Sequence, residues 1–303
     1  MPPRPDPPAR LVHATGAALA AALLAAALFA APGAAGAQAT VRTPEVTASL
    51  VAAGDWLRPG AALPVAIRLQ VAPGWYVYWR QPGEAGLPTT VAWHLPAGFR
   101  AAPLAFPVPR REESAGLVTH ALRGDVVLLG AVTAPARARG RRTLRATVRY
   151  GVCREVCIPQ TATLALTLPL RDRAPEPDEA WRSLASAAAA RAERPPTGLS
   201  LTARRDAAGR LCLLAAGPAA ALAPLRGDSL LFFPSTVEPF PAALSLPARA
   251  TTGGVAVRFP PGPRAARLQG VLAGAAGGGV VVDVVVGGGD CPAVGAGAGG
   301  MGG

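Results

Sequence analysis

The chain contains no lysine and no asparagine, and its 303 residues include only four cysteines, three histidines and 5% aromatic residues. Each shortage excludes something. Every one of the 30 cations is an arginine, so the formal charge of +12 reads as a composition bias. It does not have the clustered basic stripe of a nucleic-acid surface. The densest run, Arg137 to Arg145, lies between two strand-like segments and reads as a solvated turn. No nucleic-acid partner is expected. The three histidines read as structural residues rather than as metal ligands or catalytic bases. His13 falls in the N-terminal leader, while His94 and His120 are isolated and read as partly buried structural residues. There is no H-E-x-x-H, no nucleotide-binding glycine pattern and no Ser/His/Asp set, so no cofactor is expected.

What is abundant points the same way. The chain has 33 prolines and 35 glycines; inside a helix each costs about 1–3 kcal/mol, which argues against a mostly helical fold. A hydrophobic fraction of 50% with 16% charged residues supplies real cores and excludes wholesale disorder. At roughly 100–200 residues per domain, the length suggests about two domains.

Residues 1–39 read as a secretory signal. Arg4 and Arg10 form a basic start, Ala17 to Ala31 an apolar run, and Ala35-Gly36-Ala37-Gln38-Ala39 a small-residue cleavage region, with the cut after Ala37 or Ala39. The apolar run is short for a membrane span of about 20 residues. Gly270 to Gly289 is apolar too, but it contains Asp283 and many glycines; Val280 to Val286 reads as one buried strand. The mature protein is therefore expected to be soluble in the periplasm, where thiols pair.

Residues 40–170 show short β-rich runs broken by Pro and Gly. Val65 to Val71 alternates; Trp75 to Trp79 is aromatic; Val126 to Leu129 follows a Gly-Asp turn signal; Leu144 to Tyr150 and Thr161 to Leu168 alternate strictly. This pattern predicts an all-β sandwich. Within 171–196, Asp178 can cap a helix of about fifteen residues that Pro195-Pro196 stops. β patterning returns over 197–286 and predicts a second, smaller β domain. Residues 287–303 are expected to form a disordered Gly-rich tail.

One stretch carries chemistry: Arg149-Tyr150-Gly151-Val152-Cys153-Arg154-Glu155-Val156-Cys157-Ile158-Pro159. In a straight strand, residues four apart lie about 13 Å from each other, whereas a disulfide needs Cα atoms within about 7 Å. Cys153 and Cys157 can bond only if the chain reverses at Arg154-Glu155-Val156, in a hairpin lacking the glycine that three-residue loops favour. So short a loop makes a poor staple, and accessible strained bridges are the labile ones. Arg149 and Arg154 would favour a thiolate, and Glu155 opposes them. Two other readings stay open on these residues: a structural hairpin disulfide in a non-enzymatic periplasmic binding or scaffold protein, and a copper-binding module with soft-metal binding by two thiolates. Cys212 reads as a core thiol in a strand and Cys291 as part of the tail. Both are expected to stand apart from the Cys153/Cys157 pair, with mutual pairing as a lesser alternative.

Gly151-Val152-Cys153-Arg154-Glu155-Val156-Cys157-Ile158-Pro159-Gln160 resembles the redox motif of the N-terminal periplasmic domain of the disulfide reductase DsbD, in its ScsB-like branch. The run Pro73-Gly74-Trp75-Tyr76-Val77-Tyr78-Trp79-Arg80-Gln81-Pro82-Gly83-Glu84-Ala85-Gly86-Leu87-Pro88-Thr89, then Trp93 to Phe99, agrees with it. The resemblance spans about 45–170 strongly and 197–286 weakly. It implies a thiol:disulfide exchange module on an all-β, immunoglobulin-like sandwich that takes electrons from a membrane-embedded domain and passes them to periplasmic thioredoxin-fold partners, including proteins of cytochrome c maturation or copper tolerance. By match, Cys157 makes the mixed disulfide and Cys153 resolves it. A protective cap loop would fall around Phe106 to His120, without a clear match for the family's aromatic cap residue. The relatives continue into membrane and thioredoxin-like domains. The expectation here is therefore a protein-disulfide reductase component with a separate DsbD/CcdA-type membrane donor, or a truncated product.

Overall fold

The computed structural model describes residues 38–292, except 115, 228, 237–239, 241, 252, 261–264 and 275–277. The expected signal up to residue 37 and the tail from 293 lie outside the described residues. No described helix is long and apolar enough to cross a membrane.

Two sheets face each other over residues 38–169. One has the order β1-β2-β3-β9-β6, from β1 (Gln38–Arg42), β2 (Val46–Ala52), β3 (Ala62–Val71), β6 (Arg100–Ala101) and β9 (Asp125–Thr133). The other has the order β11-β10-β4-β8-β7, from β4 (Tyr76–Gly83), β7 (Arg110–Ser114), β8 (Leu117–Leu122), β10 (Arg141–Cys153) and β11 (Cys157–Pro169); β5 (Thr90–His94) also pairs with β10. This is the expected immunoglobulin-like sandwich. The alternation of β11 shows why it forms. Ala162, Leu164, Leu166 and Leu168 are buried, while Thr161, Thr163, Ala165 and Thr167 face out, because successive strand side chains point to opposite faces. The inward set meets Leu50, Ile67, Leu69 and Leu128 from the opposing sheet in one core.

Helix α1 (Glu179–Arg191) starts where Asp178 accepts a 2.7 Å hydrogen bond from the Trp181 amide, a cap worth about 1 kcal/mol. It buries Trp181 and Ala188 in the sandwich core. The chain leaves it extended at Ala192, ahead of Pro195-Pro196.

The third sheet runs β12-β19-β13-β14-β17-β16-β15-β18. Its strands are β12 (Glu193–Arg194), β13 (Ser200–Arg205), β14 (Leu211–Ala216), β15 (Ser229–Pro234), β16 (Leu244–Thr251), β17 (Gly254–Arg258), β18 (Arg267–Ala273) and β19 (Gly279–Gly288). A short helix, α2 (Ala219–Leu222), sits between β14 and β15. The β18–β19 pairing closes the sheet into a ring, with β12 at its margin. β16 and β19 each pass from one side of the ring to the other. Inside lies a second core around Phe232, Phe240 and Phe259. Phe233, Val271 and Ala273 turn the other way and belong to the sandwich core.

Two expectations are corrected. The segment proposed as a cap, Phe106 to His120, supplies the β7–β8 hairpin instead, held in the second sheet by pairing with β4. Residues 287–292 are not all irregular. β19 continues to Gly288 because Gly287 and Gly288 pair with Arg204 and Arg205 of β13, and Cys291 just beyond is covalently tied.

Candidate redox site

β10 and β11 form one long antiparallel hairpin whose register sets Cys153 opposite Cys157. The chain reverses over Arg154-Glu155-Val156, closed by a 3.1 Å bond from the Arg154 amide to the Val156 carbonyl. The two Cα atoms are 4.1 Å apart and the sulfurs are bonded. The reversal required by the spacing is therefore present. Its two ends differ in access: Cys153 is 1% exposed, beneath the sheet, whereas Cys157 is exposed.

β4 lies on the other side of β10, with Tyr76 as the Cα partner of Cys153. Tyr78, 3% exposed, brings its hydroxyl to 3.4 Å from Cys157 Sγ. Burial, with Tyr76 adding to it, holds the Tyr78 phenol well above its ordinary pKa, so it stays a hydrogen-bond donor. Glycines make room for that ring. A Cβ on Gly86, whose φ is +107°, would sit 2.2 Å from Tyr78 Cζ, closer than any packing allows. The following Leu87 carbonyl accepts from the Gly151 amide at 3.3 Å, and Thr89 Oγ1 donates to the Tyr78 carbonyl. The Gly-x-x-Gly-Leu-Pro-Thr run thus seats a loop beside the disulfide. Leu87 and Val156 project from this region as exposed apolar side chains, 45% and 64% accessible.

Arg154 lays its guanidinium 5.0 Å from the Trp75 ring. Below the site, Gln160 accepts from Tyr150 and Thr43 and donates to Glu45. Burial, with the Glu45 charge adding to it, pushes the Tyr150 hydroxyl up to about 12. The hydrogen bond from Gln160 holds the Glu45 carboxyl below its usual range.

Phe106 and His120 are engaged elsewhere. Phe106 lies under Arg80, whose guanidinium also stacks 4.0 Å from the Trp79 ring and makes a bidentate pair with the buried Glu193 carboxylate. His120 is fully buried between Trp79 and Phe233. What adjoins the disulfide is the 84–88 loop; Glu84 anchors it to the β7–β8 hairpin through the Val118 amide. Cys212 and Cys291 bridge each other, their Cα atoms 5.8 Å apart. Among the described residues, no three His, Cys, Asp or Glu side chains gather as a metal site. Sequence reasoning missed Tyr78 and Leu87 as site residues, although both stand in the aromatic-to-Gly-Leu-Pro-Thr run.

Fold and site together define a class: an immunoglobulin-like sandwich with a disulfide across the mouth of a terminal hairpin. The family model for the N-terminal part of the thiol:disulfide interchange protein DsbD matches residues 47–169. These residues form a DsbD-type N-terminal domain, a thiol:disulfide interchange module of periplasmic type. The crystal structure of the N-terminal periplasmic domain of ScsB from Proteus mirabilis is similar at 17% identity and a TM-score of 0.55; the match covers 84% of this chain and all of that one. It establishes the likeness of fold. The periplasmic chaperone SfaE aligns at 9% identity and a TM-score of only 0.22. No curated protein matches the chain.

Proposed function

We propose that the Cys153–Cys157 pair is the exchange centre and that the protein carries electrons to periplasmic thioredoxin-fold partners. The observation that carries this reading is the unequal access of the two sulfurs: one is open to attack and its partner is buried beside it. In the reduced module, the Cys157 thiolate attacks a sulfur of the partner's disulfide. A mixed disulfide forms and the partner's second sulfur leaves as a thiolate. Cys153, deprotonated, then attacks Cys157 Sγ, restoring the 153–157 bridge and releasing as a thiolate the partner sulfur that had been attacked. Two electrons pass to the partner. They are replenished by a membrane-embedded donor of DsbD/CcdA type, which makes the protein a reductase component. The chain reaches the periplasm through a signal removed after Ala37, a cut that leaves β1 whole.

In the test, Cys153→Ser accumulates mixed disulfides with thioredoxin-fold proteins because resolution is lost, and Cys157→Ser forms none. A redox titration against glutathione shows the bridge opening above about −300 mV, the range below which structural disulfides lie. A bridge that stays oxidised well below that value, with neither substitution altering trapping, would overturn the proposal.

A further inference from the structure

A cleft of about 650 Å³ opens where the β7–β8 hairpin and the end of α1 meet the edge of the third sheet. Its floor is apolar, formed by Leu122, Phe233 and Ala273. Its rim carries Arg110 from β7 and Arg191 from the last turn of α1. The neighbouring charges are already matched. Arg111 pairs with Glu113, Arg123 with Glu112, and the Asp125 carboxylate accepts from Nε and Nη2 of Arg68 at 2.7 and 2.8 Å. Among the described residues, Arg110 and Arg191 have no carboxylate partner. Two unpaired guanidinium groups over an apolar floor set a definite chemistry: the fork of arginine engages two oxygens of one oxyanion, and the floor gains by covering hydrocarbon. The volume lies in the range of small-molecule sites.

We propose that this cleft binds a small amphipathic organic anion, with a carboxylate or sulfonate head on Arg110 and Arg191 and an apolar body against Phe233. The site is separate from the disulfide, and its test does not depend on redox activity. The probe is 8-anilinonaphthalene-1-sulfonate, with uncharged N-phenyl-1-naphthylamine as its control, titrated into the folded full chain. The sulfonate should saturate at one site. Its affinity should fall at least about 10-fold in Arg110→Ala/Arg191→Ala, given the worth of hydrogen bonds to charged groups, while the neutral amine is little affected. Decanoate should displace the probe where equimolar inorganic phosphate does not. Arg110→Lys/Arg191→Lys guards against misfolding: it keeps the charge but not the fork, and should bind more weakly than the parent and more tightly than the alanine pair. The proposal fails if the parent shows no saturable sulfonate binding, or if the alanine pair binds as well as the parent. It fails equally if the lysine pair loses as much as the alanine pair, or if phosphate competes better than decanoate.

Discussion

Removing each disulfide in turn should cost the fold very different amounts. The Cys153–Cys157 bridge closes a sequence separation of 4 and Cys212–Cys291 one of 79. Cross-linking stabilises chiefly by restricting the unfolded chain, by a term growing with the logarithm of loop length. The short loop then contributes about 2 kcal/mol and the long one about 4.5 kcal/mol. The perturbation is a pair of double variants, Cys153→Ser/Cys157→Ser and Cys212→Ser/Cys291→Ser, each unfolded in urea. With a slope near 2 kcal/mol per molar urea, the midpoints should drop by about 1 M and about 2 M. Far-UV circular dichroism reports all three sheets. Tryptophan fluorescence reports the sandwich and α1, since all five tryptophans lie between residues 56 and 181. Under mild reductant the native protein should release two thiols first, from the exposed Cys157 and its partner, while Cys212, fully buried, stays bridged. The reasoning is refuted if loss of the short bridge lowers the midpoint as much as loss of the long one, or if the long bridge reduces first.

Tyr78→Phe removes the hydroxyl 3.4 Å from Cys157 Sγ. A hydrogen bond donated to the thiolate favours the charged form, so its loss should raise the Cys157 pKa by about 1–2 units. Alkylation of reduced Cys153→Ser protein against pH measures this, and an unchanged profile would count against the contact. Burial lowers the His120 pKa to about 4, so the native state resists a proton that the unfolded chain accepts near 6.5. Stability should be full above about pH 6.5 and fall by up to about 3 kcal/mol as pH drops toward 4. In His120→Leu that slope between pH 6.5 and 4 should flatten in urea titrations. Glu193→Ala strands Arg80 between two aromatic rings and should cost about 3 kcal/mol, seen as a lower melting temperature. A shift within about 0.5 kcal/mol would mean the pair contributes little.

The strands nearest the site were legible because their residues alternate without interruption: Leu144 to Tyr150 and Thr161 to Leu168 could lie in a sheet in only one way round. The helix was legible from Asp178 and the double proline, and the hairpin from a distance argument on two cysteines. The β7–β8 hairpin was not. Arg110-Arg111-Glu112-Glu113 has no apolar alternation, and its order comes from β8 pairing with β4. Nor was the contact between Tyr78 and Cys157, residues 79 apart in sequence and joined only by the pairing of β4 with β10. The Cys212–Cys291 bridge stood only as a lesser alternative for the same reason: Gly287 and Gly288 carry no side-chain pattern to announce a strand, and their place is fixed by the backbone of β13.

Trp79 and Arg80 stand in the same short run as Tyr76 and Tyr78, yet they face a different neighbour. Trp79 meets Phe233 of the third sheet, and Arg80 meets Glu193 at its margin. One strand therefore serves as a party wall, its tyrosines toward the disulfide and its next two residues toward the ring of strands. A fragment cut at residue 170 would keep the disulfide but lose the other side of that wall. Trp79 and His120 would be open to water, and Arg80 would have no carboxylate to hold. The unit to express is thus the sandwich together with its ring, because the sequence run beside the disulfide also fastens the two together.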